Sequence, residues 1–115
     1  MRHVIEAVQH SWIGATSYWP ERWSTSLPEA GQCLVTALVV QDYLGGELRR
    51  CKVGRHRHFW NVLRDGTELD LTAGQFDLPH ERTEVEAIQR HRLLKTRTTR
   101  DRYHLLKRRV EEELQ

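Results

Sequence analysis

Residues 31–46, GQCLVTALVVQDYLGG, decide the fold. Residues 32–44 are apolar on nearly every side, and a helix of that composition is buried on most of its faces. The β-branched residues in this run make a strand the competing interpretation. The length of the run favours a helix, as do Gly45 and Gly46, which make a good C-terminal cap. We therefore predict a central buried helix with Cys33 in its first turn.

A small antiparallel sheet is predicted to follow this helix. Strands are expected at about residues 47–53, 58–63 and 67–71, which are rich in strand-forming side chains. Residues 64–66, Arg-Asp-Gly, separate the last two strands and are a hairpin signal. With helices at both ends of the chain, these elements predict an α+β fold. In it, the Cys-bearing helix packs on a three- to four-stranded antiparallel sheet.

The two ends of the chain carry helical patterns. A short amphipathic helix is predicted from Arg2 to about Ser11, where apolar side chains recur at helical spacing. Residues 98–101, TTRD, form a capping box that predicts the start of a final helix. Residues 77–97 predict an extended or partly helical crossing before it. The inner stripe of the final helix is expected to comprise Tyr103, Leu106, Val110 and Leu114.

Residues 14–30 predict a loop, because they contain prolines and several Ser and Thr residues. Its aromatic residues Tyr18, Trp19 and Trp23 are expected to hold it against the body of the domain. Most aromatic side chains are expected in the core, with one or two instead forming the wall of a substrate cleft beside Cys33. The candidates for that wall are Trp12, Trp23 and Trp60.

Length and composition limit the protein to one domain, residues 1–115. No run approaches the roughly 20 consecutive apolar residues of a membrane span. Glu6 lies where a secretory signal would need an unbroken apolar stretch. We therefore expect a cytoplasmic protein with no membrane partner, in which Cys33 and Cys51 are free thiols. The sequence defines no oligomeric state.

The net charge of +2 is small, but its distribution is uneven. Residues 90–109 are rich in Arg and Lys and contain a single acid, Asp101. We expect a solvated helix face paired with the acids of residues 111–113. A nucleic-acid partner for the basic stretch is the alternative.

Three residues of the types needed for thiol-based acyl transfer follow one another along the chain. Cys33 is predicted at a helix N-terminus, where unpaired N–H groups and the helix dipole favour the thiolate. His58 and Asp70, a base and an orienting anion, are predicted on adjacent strands. The backbone N–H of Cys33 is expected to hold the oxyanion, with the Gln32 side chain as a weaker donor.

The hairpin geometry decides whether His58 and Asp70 meet. A three-residue loop with Gly66 left-handed pairs Trp60 with Asp70, so that His58, Trp60 and Asp70 share one face. A two-residue loop would turn Asp70 away. The catalytic interpretation therefore predicts the three-residue loop. Asn61, three positions from His58, is expected on the opposite face, where it hydrogen-bonds to backbone.

Two other uses of these residues stay open. Cys33 taken alone is more commonly a small buried apolar residue than a nucleophile. Zinc is a rival use of the Cys and His residues, although the chain contains no CxxC or HExxH spacing. We expect no metal and no cofactor, and we expect Cys51 to be a packing residue. The rival zinc ligands are Cys51, His56, His58 and Asp70.

The blocks GQC at 31–33, HFWN at 58–61 and DGTELDLT at 65–72, followed by Gln75, resemble the YunG family of small bacterial proteins. The resemblance extends from about residue 12 to residue 110 and implies a bacterial, cytoplasmic setting.

A remoter similarity is to the papain-like and transglutaminase-like cysteine enzymes. Their core is a Cys-bearing helix packed on an antiparallel sheet that bears His and Asp. By position, this similarity implies that Cys33 is the nucleophile, His58 the general base and acid, and Asp70 the orienting carboxylate.

Our functional hypothesis is a thiol-dependent hydrolase or acyl transferase that acts on an amide or thioester through a Cys-His-Asp triad. Its substrate is not identified, and a peptide or protein is one option. The alternatives are a non-enzymatic interaction module with a relict catalytic core, or a nucleic-acid-associated protein that uses residues 90–109.

Overall fold

The helices and strands of the protein follow the predicted order. A fourth strand comes after the three predicted strands along the chain. The computed structural model describes residues 1–75 and 81–115. The elements are α1 (Arg2–Ser11), α2 (Cys33–Leu44), β1 (Glu47–Val53), β2 (His56–Val62), β3 (Glu68–Leu69), β4 (Thr83–Ile88), α3 (Arg90–Leu93) and α4 (Arg97–Glu113). Short 3₁₀ turns occupy Gly14–Thr16 and Ala73–Gln75.

The strands form a four-stranded antiparallel sheet in the order β3-β2-β1-β4. This confirms the α+β class. Strand β1 has the predicted bounds, β2 begins two residues early, and β3 is shorter than predicted. Within the ambiguous segment 77–97, the structure contains β4 and α3. Positions 77–80 of that segment lie outside the described residues.

Helix α2 is buried against the sheet, and α1 and α4 pack beside it. Seven of its twelve residues are buried, as its apolar composition predicts. Gly45 ends the helix with φ +71°, a conformation that glycine adopts without strain. Asn61 of β2 donates a hydrogen bond to the carbonyl of Ala37, 2.9 Å away, so the expected bond from Asn61 to backbone is confirmed. None of the described helices is both long enough and apolar enough to cross a membrane.

The β2–β3 hairpin has the predicted three-residue loop. Gly66 has φ +87°, and the Leu63 N–H donates to the Thr67 carbonyl at 2.8 Å. Asn61 pairs with Leu69 and Val62 with Glu68. This register, continued by one pair, places Trp60 opposite Asp70.

Two predictions about the final helix are wrong, and one about a loop side chain holds only in part. Helix α4 begins at Arg97 after Thr96, with no side-chain cap at its N-cap residue, so residues 98–101 are not a capping box. Leu114 is 38% exposed, because the buried stripe of α4 ends at Val110. Tyr18 is 72% exposed and contacts the body of the domain through Arg102 of α4, 5.4 Å from its ring centroid, and not through the core.

Candidate active site

Cys33 is the first residue of α2, as predicted. Its thiol donates a weak hydrogen bond to the Arg57 carbonyl at 3.9 Å, and Cys33 lies close enough to His58 to contribute to the raised pKa of that imidazole. As the first helical residue, Cys33 has a backbone N–H with no intrahelical acceptor. None of the described residues accepts a hydrogen bond from this N–H. The thiol and a backbone donor therefore occur at the same helix end.

The chain before α2 holds this helix end in place. Gly31 has φ +71°, and its carbonyl accepts a hydrogen bond from the Tyr18 N–H at 2.8 Å. Ser17 donates to the Ala30 carbonyl at 2.7 Å and accepts from the Trp19 N–H at 2.8 Å. A side chain at position 31 would collide with Ser17 and Trp19. Only glycine satisfies both the backbone angle and this close approach.

His58 and Asp70 are hydrogen-bonded across the hairpin. The distance between His58 Nε2 and Asp70 Oδ2 is 2.6 Å, and the His58 side chain is fully buried. Strand β3 pairs only with Asn61 and Val62. The edge of β2 beside His58 is therefore not covered by a described strand, which leaves room there for Asp70.

The protonation of His58 follows from this environment. Burial, the largest single contribution, lowers the pKa of its imidazole. The hydrogen bond that Asp70 accepts, the interaction with the Cys33 thiol and the charges of both groups act in the opposite direction and prevail. Together they raise the pKa of His58 to about 9. The surroundings of His58 therefore favour the protonated ring more than water does.

Arg82 and Trp60 pack against the His58–Asp70 pair. Arg82 donates to Asp70 Oδ2 at 2.9 Å, and its guanidinium lies 4.2 Å from the Trp60 ring centroid. The Trp60 ring stacks on the His58 ring with centroids 5.9 Å apart. Trp60 donates its indole N–H to Glu68 at 2.8 Å. The hydrogen bond to Asp70 and the stacked Trp60 ring therefore fix the orientation of the imidazole.

Gln75 is a site residue that the sequence reasoning missed. Its side-chain nitrogen lies 2.9 Å from His58 Nδ1, and its side-chain oxygen accepts from the Gly31 N–H at 3.3 Å. Because Asp70 accepts from Nε2, the Nδ1 atom of neutral His58 is the acceptor. The sequence signals for Gln75 are its position in the turn that follows Asp70 and its place directly after the blocks that resemble the YunG family.

A cavity of about 400 Å³ opens beside Cys33. This volume lies in the range of small-molecule sites. The cavity has a mainly apolar wall, with polar groups near the thiol. Its lining residues are Tyr18, Trp19, Gly31, Cys33, Leu34, Arg55, His56, Arg57, Phe59 and Gln75.

The three tryptophans expected to line the cleft do not line this cavity. Trp12 is buried in the core and donates its indole N–H to Thr36 at 2.9 Å. Trp23 donates to the Pro28 carbonyl at 3.0 Å. Trp60 stacks on the His58 ring. The aromatic wall is instead Trp19, which contacts His56 edge to face, together with Tyr18.

Gln32 is also absent from the cavity wall. Its fully buried side chain donates to the Ile13 carbonyl at 2.9 Å and accepts from the Thr16 hydroxyl at 2.8 Å. These bonds fix the start of α2 to the preceding turn. They hold the amide away from the cavity, so we do not retain Gln32 as an oxyanion donor.

Cys51 differs from Cys33 in its surroundings. It pairs with His58 across β1 and β2 and is fully buried beside Val53 and Trp60. Burial raises the pKa of its thiol, which the charge of Arg82 lowers and those of Asp70 and Cys33 raise. Both cysteines are free thiols. Within residues 1–75 and 81–115, no three His, Cys, Asp or Glu residues cluster closely enough to hold a metal ion.

The basic residues of the C-terminal helices pair differently from the expectation. Arg90 binds Asp42 at 3.0 Å, and Arg109 donates to the Ser11 carbonyl at 2.8 Å. Arg100 donates to the carbonyls of Leu94 and Lys95, at 2.9 and 2.8 Å. Much of this charge therefore holds α3 and α4 in place, and does so without the acids of residues 111–113.

Comparison with known proteins agrees with the sequence blocks around this site. The family model described as "YunG protein" matches residues 1–115. The chain belongs to the YunG family. The uncharacterized protein YunG of Bacillus subtilis (strain 168) is 34% identical over 96 residues, which cover 84% of this chain and 80% of that protein. No solved structure matches the chain significantly. The YunG family resemblance is thus confirmed.

Proposed function

We propose that this YunG family member is a thiol-dependent hydrolase or acyl transferase that acts on an amide or thioester. The proposal extends to a division of roles like that of papain-like and transglutaminase-like enzymes. One arrangement carries it: Cys33 begins α2 in the wall of a cavity and contributes to the raised pKa of His58, which is hydrogen-bonded to Asp70. Nucleophile, base and orienting anion are the parts that this chemistry requires.

The first step is formation of the thiolate. Asp70 accepts a hydrogen bond from the N–H at Nε2 of His58, so Nδ1 is the atom that takes the thiol proton of Cys33. In the neutral state, an N–H of Gln75 donates to that atom. Proton transfer to Nδ1 therefore requires this N–H to turn away. The resulting imidazolium is stabilised by Asp70, in accord with the raised pKa of His58.

The thiolate then attacks the substrate carbonyl carbon and forms a C–S bond, and the carbonyl oxygen becomes an oxyanion. The Cys33 N–H at the helix N-terminus is the donor for that oxygen. Gln75, once turned from His58, is a second donor on the same wall. The proton on His58 passes to the leaving amine or thiol as the C–N or C–S bond breaks.

Release of the acyl group completes the cycle. Water or an amine attacks the thioester at Cys33, and His58 accepts its proton. The thiolate then leaves as the nucleophile of the next cycle. Free thiols at both cysteines fit a reducing setting, so we also propose a cytoplasmic location.

The test is capture of the acyl-enzyme with an activated ester. The protein is mixed with a p-nitrophenyl ester of an apolar acid, and release of nitrophenolate is followed together with intact mass. We expect one acyl adduct on Cys33 and its loss in Cys33→Ala. Cys51→Ala is the matched control, and it should retain the adduct. Acylation that persists in Cys33→Ala would refute the proposal and favour the interaction-module alternative.

A further inference from the structure

The fixed charges that the structure describes in the wall of the cavity are of one sign. Among the described residues that line it, Arg55 and Arg57 carry a fixed charge, and both are cations. A cleft lined by one sign of charge concentrates ligands of the opposite sign.

Arg55 and Arg57 differ from most arginines of the sheet. Arg50 binds Glu86 at 2.6 Å, and Arg82 binds Asp70 at 2.9 Å. Neither Arg55 nor Arg57 has a carboxylate within ion-pair distance among residues 1–75 and 81–115, although the charge of Arg57 contributes to the lowered pKa of Glu86. Their guanidinium groups keep N–H donors for a ligand, in the fork geometry that suits oxyanions.

The same cavity has an apolar side. Arg57 and Phe59 lie two residues apart on β2 and share a face of the strand. Leu34 and Trp19 complete this side, and the Tyr18 ring is 72% exposed at its mouth. An exposed aromatic ring beside a cavity is a surface that an apolar ligand group would cover.

We propose that the substrate of Cys33 is an anion: an acyl compound with an apolar group and, near the reacting carbonyl, a carboxylate or phosphate. Arg55 and Arg57 bind the anionic group, and Trp19, Leu34 and Phe59 contact the apolar group. This inference rests on the proposed function, because it assigns the substrate class of the same thiol. It names Arg55 and Arg57 as specificity-determining residues.

Two alkylating reagents of similar size test the inference. Iodoacetate carries a carboxylate and iodoacetamide does not, and each forms an S–C bond at the thiolate with loss of iodide. The iodoacetate-to-iodoacetamide rate ratio is measured at Cys33 in Cys51→Ala protein. The same ratio in urea-unfolded protein gives the intrinsic preference of the Cys33 thiol for one reagent over the other, without any effect of the cavity. We expect the folded ratio to exceed the unfolded ratio on the order of tenfold.

Substitutions assign this preference to the two arginines. Arg55→Gln with Arg57→Gln should bring the folded ratio close to the unfolded ratio. Arg108→Gln removes one charge from an exposed position on α4 outside the cavity and is the control. It should leave the ratio unchanged. Acetate and inorganic phosphate are compared at equal ionic strength, and the salt that slows iodoacetate more identifies the oxyanion.

The outcomes separate this inference from the proposed function. Rapid alkylation of Cys33 by iodoacetamide, with equal folded and unfolded ratios, would overturn the anionic substrate and leave the thiol enzyme in place. A high ratio that persists without Arg55 and Arg57 would also overturn it. Slow alkylation of Cys33 by both reagents would count against the enzyme, while the ratio would still decide the charge preference.

Discussion

The Nε2 atom of His58 lies 2.6 Å from the Oδ2 atom of Asp70, and Arg82 contacts the same oxygen at 2.9 Å. The carboxylate thus joins a buried imidazole to a partly exposed guanidinium. A hydrogen bond is stronger when one of its partners is ionised. If one partner is removed, the other stays buried without the interaction that offset its desolvation. The properties of the site therefore depend on Asp70 as much as on Cys33.

Replacing Asp70 should change the protonation of His58. In Asp70→Asn the hydrogen bond to a charged acceptor and the negative charge are both lost, while burial continues to lower the pKa. The pKa of His58 should fall well below 9, as measured by NMR titration of its ring protons. Asp101→Asn, which alters an exposed ion pair with Arg97, is the control. A His58 pKa still near 9 in Asp70→Asn would show that Asp70 does not set it.

Stability should fall as the solution becomes basic. The pKa of His58 is raised from 6.5 to about 9 on folding. The folded state therefore binds this proton more tightly, and the contribution is fully present below pH 6.5. It is lost as the pH rises through 9 and amounts to about 3 kcal/mol. Urea unfolding at pH 6.5 and pH 9.5 measures it, and a free energy of unfolding that rises over this interval would contradict the account.

Gly31 should tolerate substitution less well than Gly54. Both have positive φ, but an added Cβ at Gly31 meets Ser17 and Trp19, whereas nothing lies within 4 Å at Gly54. Gly54→Ala should cost about 1–2 kcal/mol from backbone strain alone. Gly31→Ala should cost more, because it also displaces the chain that holds the start of α2. Thermal or urea unfolding compares the two, and equal losses would contradict the predicted collision.

Gln75→Glu should raise the pKa of His58 above its value in the unmodified protein. The added carboxylate can accept from Nδ1–H while Asp70 accepts from Nε2–H, so both favour the imidazolium. Gln75→Leu, which has no polar atom to offer, is the comparison. NMR titration of His58 measures both variants. A lower pKa in Gln75→Glu than in Gln75→Leu would mean that residue 75 does not contact the ring as described.

The sequence predicts the central helix and the hairpin well, because local physical rules determine both. The apolar run of α2 has no polar face to turn toward solvent, so it is buried, and Gly45 ends the helix. In the hairpin, the left-handed Gly66 sets a register, and the alternation of side chains then brings His58 and Asp70 to one face. These steps needed no knowledge of distant contacts.

The rest of the site depends on contacts that join distant parts of the chain. Gln75 reaches His58 from a 3₁₀ turn, and Arg82 comes from a segment without clear periodicity. The tryptophans are chemically equivalent in sequence, and only packing determines that Trp19 lines the cavity while Trp12 enters the core. The pattern at residues 98–101 predicts a later start for α4 than Arg97. It misleads because a capping box is defined by hydrogen bonds, and no side chain caps this helix at its N-cap residue.

The most direct test of the Cys33–His58 pair is the rate of iodoacetamide labelling at each cysteine near pH 7, followed by peptide mass mapping. We predict that Cys33 in the folded protein reacts faster than the same thiol in urea, and that Cys33→Ala abolishes labelling. In Asp70→Asn, checked for folding by circular dichroism, the rate should fall about tenfold. Faster labelling of Cys51, or equally slow labelling of both thiols as for an ordinary pKa near 8.5, would contradict the account.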